Sequence, residues 1–205
     1  MQVRKPQVAN AGLSRRAKGF DWQFSFCHFQ YRMHVRPALK TDLPGILEIY
    51  NEAVLNTTAT YDAEPRTLEH RVAWFEEHVK NNYPVFVAQN KQGRIVGWSA
   101  LNQFHSRCGY RFTSENSVYV AADQRGCGIG KLLIPPLISS ARERGLHAIL
   151  GAIDADNQAS IRLHASFGFE KVAHLKQVGF KFGRWLDVVY MELLLANQTV
   201  GSQTL

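Results

Sequence analysis

Gln124-Arg125-Gly126-Cys127-Gly128-Ile129-Gly130-Lys131 is the stretch on which the fold turns. It follows Ser117-Val118-Tyr119-Val120, which reads as a strand. It opens a helical pattern that runs to about Arg144, where Gly145 supplies a C-cap. A glycine-rich turn from strand to helix presents several backbone N–H groups at the positive end of the helix dipole, which suits a phosphate or pyrophosphate. Glycine lets the backbone approach such a ligand with no Cβ in the way. A dinucleotide fingerprint starting at Gly126 needs glycine where Lys131 stands. A P-loop needs glycine at Arg125 and Ser or Thr at Leu132. Neither fits. What fits is R-x-x-G-x-G, as Arg125, Gly128 and Gly130, and by itself this is also open to being an ordinary tight turn.

The pattern extends in both directions. Upstream, His34 to Pro37 reads as a short strand, and Thr41 as the cap of a helix with Pro44 in its first turn. A second helix follows Thr67, with Leu68, Val72, Phe75 and Val79 on one face. Pro84–Ala88 and Arg94–Leu101 form a strand pair around the polar turn Asn90-Lys91-Gln92-Gly93. Downstream, His147–Ile153 is a strand and Asn157–Phe167 a helix closed by Gly168. Strands near Phe169–Gln177 and Asp187–Leu194 complete the chain. Hairpins followed by strands alternating with helices predict an α/β domain with a mixed sheet covered by helices.

The chain has 205 residues, 45% of them apolar, enough for one domain with a sizeable core. It has no run of ~18 apolar residues to span a membrane. Cys27, Cys108 and Cys127 are odd in number and widely spaced, so they predict free thiols in a reducing cytoplasm, with no disulfide framework and no metal site. The net charge is +7, but residues 1–32 hold six Lys and Arg against Asp21 alone. Five of the seven charges therefore belong to this leader, and nucleic-acid binding by the nearly balanced remainder is not expected. Residues 1–32 show no sustained period and read as an N-terminal extension, disordered or not native. The domain is expected over 33–197, with a C-terminal tail at 198–205.

The turn has a companion about thirty residues downstream: Asn157-x-x-Ser160-Ile161-x-Leu163-His164-x-x-x-Gly168-Phe169. Together the two segments resemble the coenzyme A loop and the following helix of the GCN5-related N-acetyltransferases, the GNAT superfamily. Tyr110-x-x-Thr113-x-Glu115-x-Ser117-Val118-Tyr119-Val120 and Gly179-Phe180-Lys181-x-Gly183-x-Trp185-x-Asp187 resemble its phosphinothricin and methionine sulfoximine acetyltransferase branch. The resemblance covers about residues 34–195. It implies a GNAT fold, with a mostly antiparallel mixed sheet flanked by helices. The implied activity is acetyl-CoA-dependent acetylation of the α-amine of a small amino acid analogue by direct transfer, with no metal. It also implies a homodimer.

Acetyl transfer to an amine sets three demands. The ammonium must lose a proton, because an amine with pKa near ~10 is only about a thousandth neutral at pH 7. The tetrahedral intermediate needs a hydrogen-bond donor for its oxyanion. The leaving thiolate can take a proton. The resemblance places the catalytic carboxylate at Glu115, ahead of Asp123 and Glu143, and the oxyanion donor at the N–H of Val120. His164 stands where the wider superfamily often has a tyrosine. A neutral imidazole there can relay a proton in either direction or simply pack. The resemblance gives the cofactor Val118, Tyr119, Val120, Arg125, Gly126, Cys127, Gly128, Ile129, Gly130, Lys131 and Asn157, the last also able to cap its helix. It gives the substrate His105, Ser106, Arg107, Glu115, Asn116 and Ser117, with Arg107 suited to a bidentate carboxylate contact. Tyr61, Lys181 and Phe182 are expected to close the pocket, from this chain or from a second subunit. Pro135-Pro136 departs from the branch and predicts a bend in the helix after the turn. Two other outcomes stay open: a family member acting on a protein N-terminus or polyamine, and a non-catalytic acyl-CoA sensor.

Overall fold

Hairpins build most of the sheet. The computed structural model describes residues 33–195, so the extension expected at 1–32 and the tail expected at 198–205 lie outside the described residues. Strand β1 (Met33–Pro37) is followed by helices α1 (Leu43–Asn56) and α2 (Leu68–Lys80). The hairpin β2 (Val85–Asn90) and β3 (Ile95–Gln103) leads to β4 (Thr113–Val120) and helix α3 (Ile129–Glu143). Strand β5 (Ala148–Asp154), helix α4 (Gln158–Ala165) and the hairpin β6 (Glu170–Lys181) and β7 (Arg184–Leu194) follow. The strand order is β1-β2-β3-β4-β5-β7-β6. Every pairing is antiparallel except β4 with β5. The expected mixed, mostly antiparallel sheet is therefore present.

The two faces of the sheet carry separate cores. Leu43, Ile46 and Ile49 of α1 and Phe75 of α2 pack on Val85, Val87, Trp98 and Ala100. On the other face Ile134, Leu137, Ile138 and Ala141 of α3 pack on Leu101, Ile149, Ile153 and Met191. Strand alternation follows from this. In β4, Val118 faces α3 and Tyr119 faces α1.

Two local expectations change. Thr41 does not cap α1. Residues Lys40–Asp42 form a 3₁₀ turn, and the Asp42 carboxylate accepts bonds from Leu39 N–H (2.7 Å) and both Arg36 guanidinium nitrogens (2.7 and 2.9 Å). The buried face of α2 is Arg71, Phe75 and His78, whereas Leu68 and Val79 are exposed. Arg71 makes this possible by lying over the rings of Tyr50 (4.4 Å), Trp74 (4.6 Å) and Trp98 (5.5 Å), where aromatic faces take the place of a carboxylate. Helix α3 continues through Pro135 and Pro136. The carbonyls these prolines leave unbonded, Lys131 and Leu132, belong to an exposed and a half-buried residue, where water can reach.

Thr67 does cap α2, accepting from His70 N–H at 3.2 Å. Gly93, Gly145 and Gly168 take left-handed conformations at the turn and helix ends where they were expected.

The Arg36 guanidinium holds the Asp42 carboxyl below the usual carboxylate range, so this pair stabilises the fold above the unfolded-state pKa. That stability is lost as pH falls through the depressed folded value. Asp42→Ala should cost about 1–3 kcal/mol at neutral pH in urea titrations, and the difference from the unsubstituted protein should shrink towards pH 3.

Candidate active site

Parallel pairing of β4 with β5 covers only Thr113↔Ala148, Ser114↔Ile149 and Glu115↔Leu150. Beyond that point both strands continue, to Val120 and Asp154, but apart. The fork between them opens a cavity of about 260 Å³. Glu115 to Tyr119 line one wall, Gly151 to Asp154 the other, and Asn157, Ser160 and His164 of the α4 segment a third side. Residues Thr58 to Tyr61, from the loop after α1, close the fourth.

β4 stays bonded to β3 along its other edge. Ala121 N–H donates to Val96 C=O, and the antiparallel register continues as Gly97↔Val120 to Gln103↔Ser114. Alternation then turns the backbone groups of Asn116, Val118 and Val120 towards the fork. The Val120 carbonyl accepts from Arg125 Nε at 3.2 Å.

The glycine turn meets the fork at the end of β4. Gly126 and Gly128 have φ of +79° and +81°, and a Cβ at either position would meet nothing within 4 Å. The turn thus faces open space in a conformation other residues adopt with strain. No side chain caps α3, whose first turn starts at Ile129. Gly130 is close-packed instead, since a Cβ there would lie 2.7 Å from Leu163 Cδ2. The Arg125 side chain does not reach out towards this space. It pairs with Glu52 of α1 and ties the turn down.

Glu115 lines the cavity on the α1 side, and burial alone pushes its carboxyl pKa up. His164 is 3% exposed. Its Nδ1 donates to Ser160 C=O at 2.9 Å, which leaves Nε2 to accept from Asn116 Nδ2 at 2.9 Å. Burial lowers its pKa and favours the neutral ring. Asn157 caps α4 as expected, through Ser160 N–H at 3.1 Å, and its side of the helix start lines the cavity.

Other expected residues lie elsewhere. Val120 and the 126–131 turn flank the cavity without lining it, and His105, Ser106 and Arg107 sit exposed in the β3–β4 loop at the Glu115 end of the strand. Lys181 acts from behind the cavity wall. Its Nζ donates to the carbonyls of Thr57 (2.9 Å) and Thr60 (2.7 Å) of the same chain and so anchors the cavity wall. Phe182 is exposed beyond it. Tyr61 does line the cavity, packed so closely on Gly179 that a Cβ there would lie 2.5 Å from its ring.

Asp154 was not foreseen. It is 5% exposed, its Oδ1 accepts from Asp156 N–H at 2.9 Å, and its Oδ2 has no hydrogen-bond partner. Burial and the charges of Asp154 and Asp187 push the Tyr61 hydroxyl up to about 12. An acid three residues ahead of the Asn157 cap was the available signal.

The acetyltransferase (GNAT) domain model matches residues 35–190, more than half of the chain. The chain belongs to this family. An L-methionine sulfoximine/L-methionine sulfone acetyltransferase of Pseudomonas aeruginosa is 47% identical over 161 residues, 78% of this chain and 94% of the relative. A phosphinothricin N-acetyltransferase of Streptomyces coelicolor is 36% identical over 162 residues, 78% of this chain and 95% of the relative. A solved acetyltransferase structure from Salmonella typhimurium, described with its cofactor acetyl-CoA, is 41% identical with a TM-score of 0.79, covering 82% of this chain and 96% of that one. The fork, the glycine turn and the α4 cap are thus parts of an acetyltransferase domain, and the resemblance to the branch holds along most of the described residues.

A carboxyl whose folded pKa is raised contributes instability that sets in above the unfolded-state pKa and is complete above the folded value. Glu115→Gln should therefore raise the melting temperature at pH 7–8, with the gain vanishing towards about pH 4 in a thermal scan series.

Proposed function

We propose that this chain is an acetyl-CoA-dependent N-acetyltransferase acting on the α-amine of a small amino acid analogue of the methionine sulfoximine, methionine sulfone or phosphinothricin type. The observation that carries the reading is the fork. It has an open glycine turn beyond one end and, at the other, a half-buried carboxylate whose pKa is raised by desolvation alone.

The turn fits a pyrophosphate. Amides of Gly126, Gly128, Ile129 and Gly130 receive it at the uncapped end of α3, Cys127 and Lys131, whose N–H groups donate to the Gln124 and Gly128 carbonyls, border it, and Arg125 acts by holding the turn. The free backbone edge at Val118 and Val120 pairs with the pantetheine amides like an added strand, with Tyr119 between them lining the cavity and Asn157 bordering the arm. Bound acetyl-CoA supplies a thioester as acyl donor.

Glu115, through a water, takes the ammonium proton, and its raised pKa brings it closer to the working pH of a general base. The free amine attacks the thioester carbonyl carbon and a C–N bond forms. The N–H of Val120 meets the oxyanion. The C–S bond then breaks, coenzyme A leaves as its thiolate, and the second nitrogen proton passes to solvent or thiolate. Asn116 and Ser117 shape the amine side. His105, Ser106 and Arg107 border its mouth, with Arg107 gripping an anionic group.

A second copy of the chain covers the β6–β7 hairpin. β6 is the sheet edge, and Phe180, Phe182 and Trp185 on this hairpin are each more than half exposed. The working unit is residues 33–197, and the setting is the cytoplasm, in keeping with the free Cys108 and Cys127.

Three measurements test the reading. Gly128→Val should abolish most acetyl-CoA binding by calorimetry, and retention of native affinity would remove the turn from the site. Glu115→Gln should lower kcat by about 10²-fold and remove the acidic limb of the pH–kcat profile, with acetyl-CoA affinity little changed. Arg107→Lys should raise KM for methionine sulfoximine and leave that for acetyl-CoA alone. A higher kcat/KM for a peptide N-terminus than for methionine sulfoximine, methionine sulfone and phosphinothricin would overturn the substrate assignment.

A further inference from the structure

The next residues in the β4–β5 register after Glu115↔Leu150 are Asn116 and Gly151, and pairing stops there. The Asn116 side chain crosses β5 at this point to reach His164 on α4. Gly151 leaves the room for it. A Cβ at Gly151 would lie 2.9 Å from Asn116 Oδ1 and 3.3 Å from both Cδ2 and Nε2 of His164. Phe169 closes the far side of the imidazole with an edge contact, the ring centroids 5.1 Å apart. All three residues, Asn116, Gly151 and His164, line the cavity.

From this geometry we infer that Asn116, His164 and Gly151 form a wedge that sets where the strands part, and that His164 is a positioning residue with no part in proton transfer. The inference rests on the acetyltransferase reading of the same cavity.

Both ring nitrogens are engaged. Ser160 C=O can only accept, so Nδ1 carries the proton, and Nε2 offers its lone pair to the Asn116 amide. A proton placed on Nε2 would face the Asn116 N–H, donor against donor, in a site with almost no access to water. The Asn116 Oδ1 is left without a hydrogen-bond partner in this arrangement. Glu115 lies one residue along β4 and faces the opposite side of the sheet, so the proton-handling group and the wedge are separated by strand alternation. The wedge acts through the fork. Holding Asn116 to α4 keeps the backbone edge of Val118 and Val120 away from β5 and free for a ligand.

Glutamine at 164 offers an acceptor to Asn116 and cannot titrate, so it separates position from proton transfer. Gly151→Ala and His164→Ala should each weaken acetyl-CoA binding about tenfold or more, on the scale of one lost buried hydrogen bond. His164→Gln should recover most of that affinity, and all three variants should keep both limbs of the pH–kcat profile. Long-range proton–nitrogen spectra of the unsubstituted protein should show the neutral Nδ1–H tautomer throughout about pH 6–8. A limb missing in His164→Gln, a ring that protonates in that range, or native acetyl-CoA affinity in Gly151→Ala would overturn the inference. An unsubstituted protein that neither binds nor consumes acetyl-CoA would instead defeat the proposed function, and the spectra would still decide the state of His164.

Discussion

The parallel contact between β4 and β5 lasts three residue pairs, and the rest of the site depends on where it ends. A parallel pair continued to Val120 and Asp154 would satisfy every backbone group and leave no cavity. Its early end turns one edge of β4 into a row of hydrogen-bonding groups without strand partners, while β3 keeps the other edge in register. Such an edge is unfavourable in a buried sheet unless something pairs with it. Wedging by Asn116 over Gly151 and anchoring of the outer loop by Lys181 both hold the fork open in the folded chain.

The sheet also sorts the chemistry by face. Asn116, His164 and Gly151 meet on the α3–α4 side, whereas Glu115, Tyr119 and the Thr58–Tyr61 loop lie on the α1–α2 side. Each buried charge has its own solution. Arg71 rests on aromatic faces, and Lys181 is solvated by two loop carbonyls. Glu115 has no such compensation, and its raised pKa is the result. A fold that leaves Glu115 uncompensated and Asp154 Oδ2 without a partner beside one cavity gives up stability there, as functional sites commonly do.

Much of this was legible because the residues concerned act through local backbone chemistry. Thr67 and Asn157 cap helices through bonds three residues ahead, and Gly128 occupies a left-handed position, so each leaves a mark within a short window. Thr41 misled because its neighbour Asp42 is claimed by Arg36, a contact across a turn that helix-start rules do not contain. The outward face of α2 was misjudged for a related reason, since a hydrophobic pattern does not anticipate an arginine buried among three rings. The contacts of Arg125 with Glu52 and of Lys181 with the Thr57 and Thr60 carbonyls were not legible because the partners lie far along the chain, and Asp154 was missed because one of its oxygens has no partner to betray it. Pro135 and Pro136 argued for a bend. The helix runs unbroken through both, and the carbonyls they free do not lie on its buried face.

The central claim is that acetyl-CoA occupies the fork along the free edge of β4 and the turn that follows. Amide hydrogen exchange of the full-length protein with and without acetyl-CoA tests this most directly. The account predicts added protection over residues 116–131 and at the start of α4, with β1 and β2 unchanged. Protection confined to other segments, or no change at Val118, Val120 and the Gly126–Lys131 turn under saturating acetyl-CoA, would contradict it.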